Sequence, residues 1–287
     1  MNRCLICNNS SLAIYKKAGQ DYLMKQCLKC KIVFDLNASC RANKLYSESY
    51  FTSKITKGGY FNYIEESAVN KLTFNHRLKT IEERLGRKGQ LLDIGCALGD
   101  FLEVSRDKLW RNSYGTEISD YAIKQCHKKG LKVYKLNLQK KQRIFPKNSL
   151  DVVTMQDVVE HLKNPKQELR EVYNLLKPGG LLFITTPNLN SLSQKLMGRY
   201  WYHYKKGEHL IYFNSDNIAL LLKKSGFKNI QVKPTLSWVT IQYIIHRLSY
   251  YFPRLSSEIL EKLSNNLLFK ISFPINTGEI EVWARKP

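Results

Sequence analysis

Residues 91–100, LLDIGCALGD, constrain the fold of this chain more than any other segment. An apolar strand ends at Asp93, and Gly95 and Gly99 bracket a tight turn into a helix over 101–109. Glycine lets the backbone pass close to a ligand, and the first turn of the helix offers unpaired amides. The spacing is GxxxG with Ala97 inside it, so it is not the GxGxxG dinucleotide fingerprint. No lysine follows to grip a phosphate, which excludes a P-loop. Asp93 would repel a pyrophosphate and suits a cationic or amine-bearing ligand. Glu117 closes the next strand, at the distance along the chain where an acid accepts ribose hydroxyls.

The surrounding pattern supplies a sheet for this unit. Strands are predicted at 90–94, 112–117, 131–135, 150–155 and 181–186, with helices over 101–109, 120–129 and 165–177. Pro178-Gly179-Gly180 reads as a turn. A helix near 215–225 and strands near 229–233 and 279–284 complete the series. Strands alternating with helices of this size imply parallel βαβ units and an α/β, Rossmann-like doubly wound sheet. The expected organisation is a leader over 1–40, a helical lead-in over 41–89 and a core over 90–235. A helical cap or insertion over 236–278, broken at Pro253, precedes a closing core strand over 279–287.

The leader holds two CxxC pairs, Cys4/Cys7 and Cys27/Cys30, separated by 19 residues. Two such knuckles can set four thiolates tetrahedrally around a structural zinc ion, with no open position for chemistry. A redox pair or unligated thiols is the competing reading. Cys40, Cys96 and Cys126 lie outside the pattern.

The formal charge of the 287 residues is +22, spread along the whole chain. It reads either as a lysine-rich compositional bias or as a sign of a polyanionic substrate, an anionic membrane surface or a nucleic acid, which charge alone does not separate. The 43% of hydrophobic residues argues against disorder, and no apolar run is long enough to span a bilayer. The opening MNRCLICNNS has no secretory h-region, so a reducing, cytoplasmic setting is expected, including the inner face of the membrane.

Taken together, LLDIGCALGDFL, YGTEIS and FPKNSLDVVTMQDVVEHLKNPKQELREVYNLLKPGGLLFITTPN resemble class I S-adenosylmethionine-dependent methyltransferases. The resemblance covers about residues 60–234 together with the closing EIEVWARKP. It implies a seven-stranded sheet whose last strand is antiparallel, with S-adenosylmethionine across the carboxyl ends of the first strands. By motif position Asp93, Gly95, Cys96 and Gly99 would line its methionine side, and Glu117 and Ile118 the ribose. Asn137 and Leu138 would flank adenine, and Gln156 and Asp157 would lie near the sulfonium. The CxxC pairs with VFDLNAS and YSESYF, and the run TPNLNSLSQKLMGRYWYHYKKGEHLIYFNSDNIALLLKKSGF, resemble a bacterial subgroup with a zinc-ribbon leader. That subgroup is associated with polysaccharide biosynthesis and secondary metabolites. The implied acceptor is a glycan precursor, sugar nucleotide or related small metabolite.

Methyl transfer to a hydroxyl needs in-line placement and benefits from a general base. His209 and His161 both follow strands at the ligand-binding edge and are the candidate catalytic residues, His209 slightly preferred. Asp157, Glu160 and His161 are spaced so that they could gather a divalent metal, as in similar segments of quinone-pathway O-methyltransferases. The aromatic–basic run Arg199–Tyr204 could stack on a sugar ring, with Lys205 and Lys206 meeting a phosphate, or form a partly buried lid. C-methylation of a keto-sugar is the alternative enzyme reading, and a nucleic-acid binder or scaffold the non-enzyme one. Absence of an NPPY or DPPY signature argues against the nucleic acid. The sequence leaves oligomeric state open.

Overall fold

The computed structural model describes residues 3–17, 23–35, 46–52, 66–110, 112–136, 138, 144–249, 269 and 271–287. The expected positions Asn137 and Cys40, and the break at Pro253, lie outside the described residues.

The leader forms three antiparallel strands, β1 (Leu12–Lys17), β2 (Leu23–Cys27) and β3 (Val33–Asp35). Two helices follow, α1 (Glu48–Thr52) and α2 (Ser67–Leu85). Gly86 closes α2 in the left-handed conformation. The core then runs β4 (Leu91–Ile94), α3 (Asp100–Asp107), β5 (Ser113–Glu117), α4 (Asp120–Lys128), β6 (Val133–Lys135), β7 (Leu150–Gln156), α5 (Pro165–Leu175) and β8 (Leu176–Pro187). Two of these helix starts have a local cause. Ser119 accepts from the Ala122 amide to cap α4, and Pro165 sits at the first position of α5. Beyond β8 come α6 (Leu192–Met197), the short β9 (Ile211–Tyr212), and α7 (Ser215–Lys224), which opens with an Asn214–Asn217 capping box. The chain ends with β10 (Lys228–Pro234), β11 (Ser237–Thr240), α8 (Ile241–Ser249), β12 (Ser272–Ile275) and β13 (Glu279–Arg285).

Seven strands make one mixed sheet in the order β6-β5-β4-β7-β8-β13-β10. Only β13 runs against its neighbours, as the resemblance implied. Both faces are covered, so β4 is buried at every residue and β7 at all but Gln156, its last. Leu92, Val153, Met155, Leu182 and Ile184 pack towards Leu169 and Val172 of α5 and Ile218, Leu221 and Leu222 of α7. Leu91, Val152, Leu181, Phe183 and Trp283 pack on the other face, against Leu78 and Ile81 of α2 and Phe101 and Leu102 of α3. The strand order reverses beside β4, and at such a switch point the crevice opens beyond the carboxyl ends of the strands.

Three expectations change. The Pro178-Gly179-Gly180 turn is drawn into β8 as a bulge, with Leu150 opposite Leu176 but Val152 opposite Leu181. Residues 237–240 form a strand rather than the start of a helix, because β11 pairs with β12 from Ser237↔Ile275 to Thr240↔Ser272. The leader sheet does not end with the leader: β9 is its fourth strand, pairing Val33 with Tyr212 and Phe34 with Ile211.

The glycine loop carries the backbone demands that its sequence announced. Gly99 has φ +83, and a Cβ there would meet the Leu131 Cδ1 at 2.4 Å. Ala97 adopts φ 48, a region that glycine enters more easily. Gly99→Ala should therefore cost about 1–3 kcal/mol of stability in urea unfolding. Ala97→Gly should change it by less than about 1 kcal/mol, since relief of strain offsets the added chain entropy.

Candidate functional site

A cavity of about 1150 Å³ opens at the carboxyl ends of β4, β5 and β7. Its walls include Asp93, Gly95, Cys96, Glu117, Ile118, Leu138, Gln156 and Asp157 on one side, and Glu160, His161, His203, Glu208, His209 and Glu279 on the other. Of the cofactor-side residues expected from sequence, Gly99 turns the loop without lining the cavity, as its left-handed N-cap position explains.

On the first side, Glu117 is buried and accepts three backbone amides: Ala97 at 3.0 Å, Ile118 at 2.6 Å and Ser119 at 3.0 Å. Burial pushes its carboxyl up, and those amides pull against the rise. Asp93 accepts the Thr154 hydroxyl at 2.5 Å. Burial is the main force that pushes Asp93 up to about 7; Thr154 and Gln156 hydrogen bonds lower it, Glu117 raises it and Arg77 lowers it.

Arg77 was not singled out by sequence reasoning. It lies on the buried stripe Thr73–Arg77–Ile81 of α2, a cation at helical spacing on a core face, which was its available signal. Its guanidinium donates to Gln156 at 3.0 Å and to Ser237 at 3.3 Å, and its buried Nε has no partner among the described residues. An uncompensated donor beside a cavity suits an anionic group such as a carboxylate. Asp93 for an ammonium, Arg77 for a carboxylate and Glu117 for a ribose form a donor and acceptor set that fits S-adenosylmethionine.

On the second side, Asp157 follows β7 with φ 55, a strained value for a non-glycine residue. The Thr185 hydroxyl donates to it at 3.3 Å. The following turn carries Glu160 and His161. The Thr186 hydroxyl donates to Glu160 at 3.0 Å, while the other carboxylate oxygen is buried without a partner among the described residues. Burial holds Glu160 well above the usual carboxylate range, and the nearby Asp157 charge adds to this.

The two histidines meet edge to face with ring centroids 4.9 Å apart. His161 Nδ1 lies 2.8 Å from the Glu208 carbonyl oxygen, so that nitrogen carries the proton and Nε2 keeps its lone pair. His209 is 3% exposed, hydrogen-bonds the His203 backbone, and has an unpartnered Nδ1 among the described residues. Burial lowers both imidazoles, His209 more strongly, so both are neutral near pH 7. Ligand atoms of Glu160, His161 and His209 lie within 4.8 Å of one another. Geometry thus groups His209 with Glu160 and His161, where spacing alone suggested Asp157.

Glu208 and Glu279 were also missed. Glu208 takes hydrogen bonds from Tyr50 at 3.0 Å and Lys205 at 3.3 Å, and its carbonyl orients His161. Glu279 starts β13, and burial, with the Asp157 charge, pushes it up to about 7. The aromatic run divides. Trp201 is 2% exposed and belongs to a small core with Met24, Val33 and Tyr212, whereas Tyr202 and His203 face the cavity.

The four leader cysteines converge in two matching turns. Asn8 and Lys31 each follow a CxxC with φ 60 and donate to the carbonyls of Cys4 and Cys27. Cys4 Sγ lies 3.4 Å from Cys30 Sγ, Cys7 Sγ lies 3.5 Å from Cys27 Sγ, and all four are within 4.8 Å. Zinc bound to four thiolates at about 2.3 Å sets the sulfurs roughly 3.8 Å apart, so this group could hold it. The amides of Ile6 and Cys7 point at the Cys4 sulfur, as partners that orient a metal ligand do. The hydrogen bond from Cys30 is the main force lowering the Cys4 thiol to about 5.

The backbone links this cluster to the second side of the cavity. The Asp35 amide donates to the Leu210 carbonyl, and the Leu210 amide donates to the Glu160 carbonyl, each at 2.9 Å. Tyr15 and Tyr204 hydroxyls meet at 3.3 Å, and Lys16 donates to the Arg199 carbonyl.

Comparison with known proteins agrees with this geometry. Residues 68–232, more than half of the chain, match the family described as "Methyltransferase domain". An uncharacterised protein of Methanocaldococcus jannaschii is 26% identical over 172 residues, covering 58% of this chain and 78% of that one. The ubiquinone biosynthesis O-methyltransferase of Shewanella pealeana is 28% identical over 127 residues, covering 42% of this chain. The match spans only about half of that enzyme's length (52%). Among solved structures, the fold resembles Haemonchus contortus phosphoethanolamine N-methyltransferase 2 in complex with S-adenosyl-L-methionine. The TM-score is 0.55 at 17% identity, covering 92% of this chain and 63% of that one. With that span matched and the seven-stranded sheet in place, the chain belongs to the S-adenosylmethionine-dependent methyltransferase domain family.

Proposed function

We propose that the chain O-methylates a small polar acceptor, such as a glycan precursor or sugar nucleotide, with His161 as general base. The observation that carries this reading is the His161 Nδ1 bond to the Glu208 carbonyl, which leaves Nε2 as an acceptor beside the cavity. Bound along β4 and β5, S-adenosylmethionine supplies an electrophilic methyl group on a sulfonium. Asp93 pairs with its ammonium, Arg77 with its carboxylate and Glu117 with its ribose. Leu138 flanks adenine together with Asn137. Gln156 and Asp157 face the reacting centre. With the cofactor bound, the acceptor oxygen would bond to the methyl carbon as the carbon–sulfur bond of the sulfonium breaks, leaving a neutral thioether, and His161 Nε2 would take the hydroxyl proton. His209 packs against that ring and keeps it in place. His209 keeps an open Nδ1 as well, and what favours His161 as base is that it is the less buried of the two. The likeness to a ubiquinone O-methyltransferase supports oxygen as the acceptor atom. A structural zinc on Cys4, Cys7, Cys27 and Cys30 would lock the leader sheet that braces Glu160 and His209.

A second reading rests on the unpartnered Glu160 oxygen and His209 Nδ1. With His161 they could hold a divalent ion, which would make the site akin to a metal-dependent quinone-type O-methyltransferase. Titration with magnesium or manganese separates the two, since only the second reading requires saturable metal dependence.

The cofactor assignment has a pH signature. Asp93 is protonated below about 7 in the folded protein, so its burial favours the fold most below the unfolded carboxylate range. That contribution is lost as pH rises to about 7. Cofactor affinity runs the other way, because only ionised Asp93 pairs with the ammonium. Calorimetric titration should show S-adenosylmethionine binding tighten by up to about tenfold between roughly pH 6 and 8. Asp93→Asn should flatten and weaken the profile; a flat wild-type profile would remove Asp93 from that role.

His161→Asn should lower transfer of labelled methyl to a responsive sugar nucleotide by about 10²–10⁴-fold, with cofactor affinity unchanged. Nitrogen NMR should show the His161 Nδ1–H tautomer. The Nε2–H tautomer would contradict the base assignment. Metal analysis should give one zinc per chain. Cys27→Ser should lose that zinc, lower Tm by several degrees and shift the His161 resonances, yet leave S-adenosylmethionine binding within about threefold, because the cofactor wall is built from other strands.

A further inference from the structure

The segment joining β8 to β9 packs in an unusual sense. Helix α6 has no buried residue, although it contains Leu192 and Leu196, one turn apart. These are 70% and 78% exposed, and Tyr200 on the next turn is 57% exposed. The side of the segment that is held carries its polar residues and Met197, which packs on the small core with Met24, Val33 and Trp201. Ser191 caps the Gln194 amide, Ser193 accepts from the indole of buried Trp201, and the Gln194 side chain donates to Tyr204. The helix is thus fastened by serine, glutamine and Met197, and turns its two leucines outward, away from this protein's own core.

The charge around these side chains selects the occupant. From Asn188 to Gly207 there are four Lys/Arg residues and no Asp or Glu, within a chain of net charge +22. The Arg199 guanidinium lies 4.7 Å from the Tyr200 ring centroid and donates to its hydroxyl at 2.6 Å, pairing an apolar body with a cationic tip. Outward leucines flanked by Lys195 and Arg199, with an aromatic residue at their edge, form the pattern of an interfacial helix lying in an anionic headgroup layer. No helix among the described residues is long and apolar enough to cross a membrane, which fits lying on the bilayer.

We propose that residues 192–200 are a docking surface for an anionic lipid bilayer. The surface adjoins the cavity through the same chain, since Tyr202 and His203 line it. Ser193 also lies beside Gly278, next to Glu279, where an added Cβ would meet its hydroxyl at 2.1 Å. Docking would hold the acceptor side of the cavity near the lipid surface. Such docking would serve any acceptor the cavity takes.

The test is vesicle flotation of the full chain. Wild-type protein should float with phosphatidylcholine vesicles doped with phosphatidylglycerol, much less with pure phosphatidylcholine, and less as salt rises. The double variant Leu192→Gln/Leu196→Gln should lose about tenfold or more of that binding, with zinc content and S-adenosylmethionine titration unchanged. Absence of wild-type flotation would overturn the proposal. So would unchanged flotation of the variant, which would assign binding to the dispersed charge. Sedimentation showing a wild-type dimer that the variant abolishes, without vesicle binding, would give the surface to a second copy instead.

Discussion

One buried carboxylate holds the ligand edge of this protein in shape. Glu117 stands at the end of β5 and gathers the amides of Ala97, Ile118 and Ser119. Its own carbonyl accepts from Leu136, just past β6, and the adjoining Thr116 carbonyl accepts from Gly95 and Cys96. Three strand ends are therefore fastened to two consecutive residues. A carboxylate in a low-dielectric site is costly unless it is surrounded by donors, and here the donors are backbone groups that would otherwise be orphaned. The glycine loop and the start of α4 take their positions from this exchange. The wall that suits S-adenosylmethionine is thus a property of the sheet itself, independent of the leader and of the lid-like segment before β9.

The opposite wall is assembled differently. Its groups come from the turn after β7, from the segment before β9 and from the first residue of β13. Main-chain hydrogen bonding through Leu210 ties the first two of these to the leader sheet. The leader is therefore structural in a specific sense. It supplies the strand edge against which the segment carrying Glu208 and His209 is laid. The two walls of the cavity thus rest on separate supports, the glycine-loop wall on the main sheet and the wall carrying Glu160, Glu208 and His209 on the leader sheet as well.

Local signals were legible in the amino-acid order, and distant ones were not. The strand-loop-helix at 91–107 could be read because its glycines, its acid and its apolar run are adjacent. The cysteine cluster could be read because CxxC spacing itself dictates the turn. The two-residue β9 was invisible, since its only partner is about 180 residues away in the chain. The β11–β12 pair escaped for the same reason, its strands standing apart from each other in sequence. Arg77 was hidden because a charge on a helix is ordinarily solvated, and only tertiary packing buries this one. The tautomer of His161 was hidden as well, since it is set by the Glu208 backbone carbonyl, which no residue type encodes.

The shared strand also bears on the order in which the protein is built. During synthesis the leader emerges first, but the neighbour for β3 does not exist until residues 211–212 have been made. Until then Val33 and Phe34 present an open strand edge, the kind of surface that pairs with the wrong chain. Closing the gap also requires a long loop, a step that slows folding. Early metal capture by the four cysteines would fix the knuckles during this interval and leave a single late docking event. The acceptor side of the cavity would then be the last part of the molecule to mature.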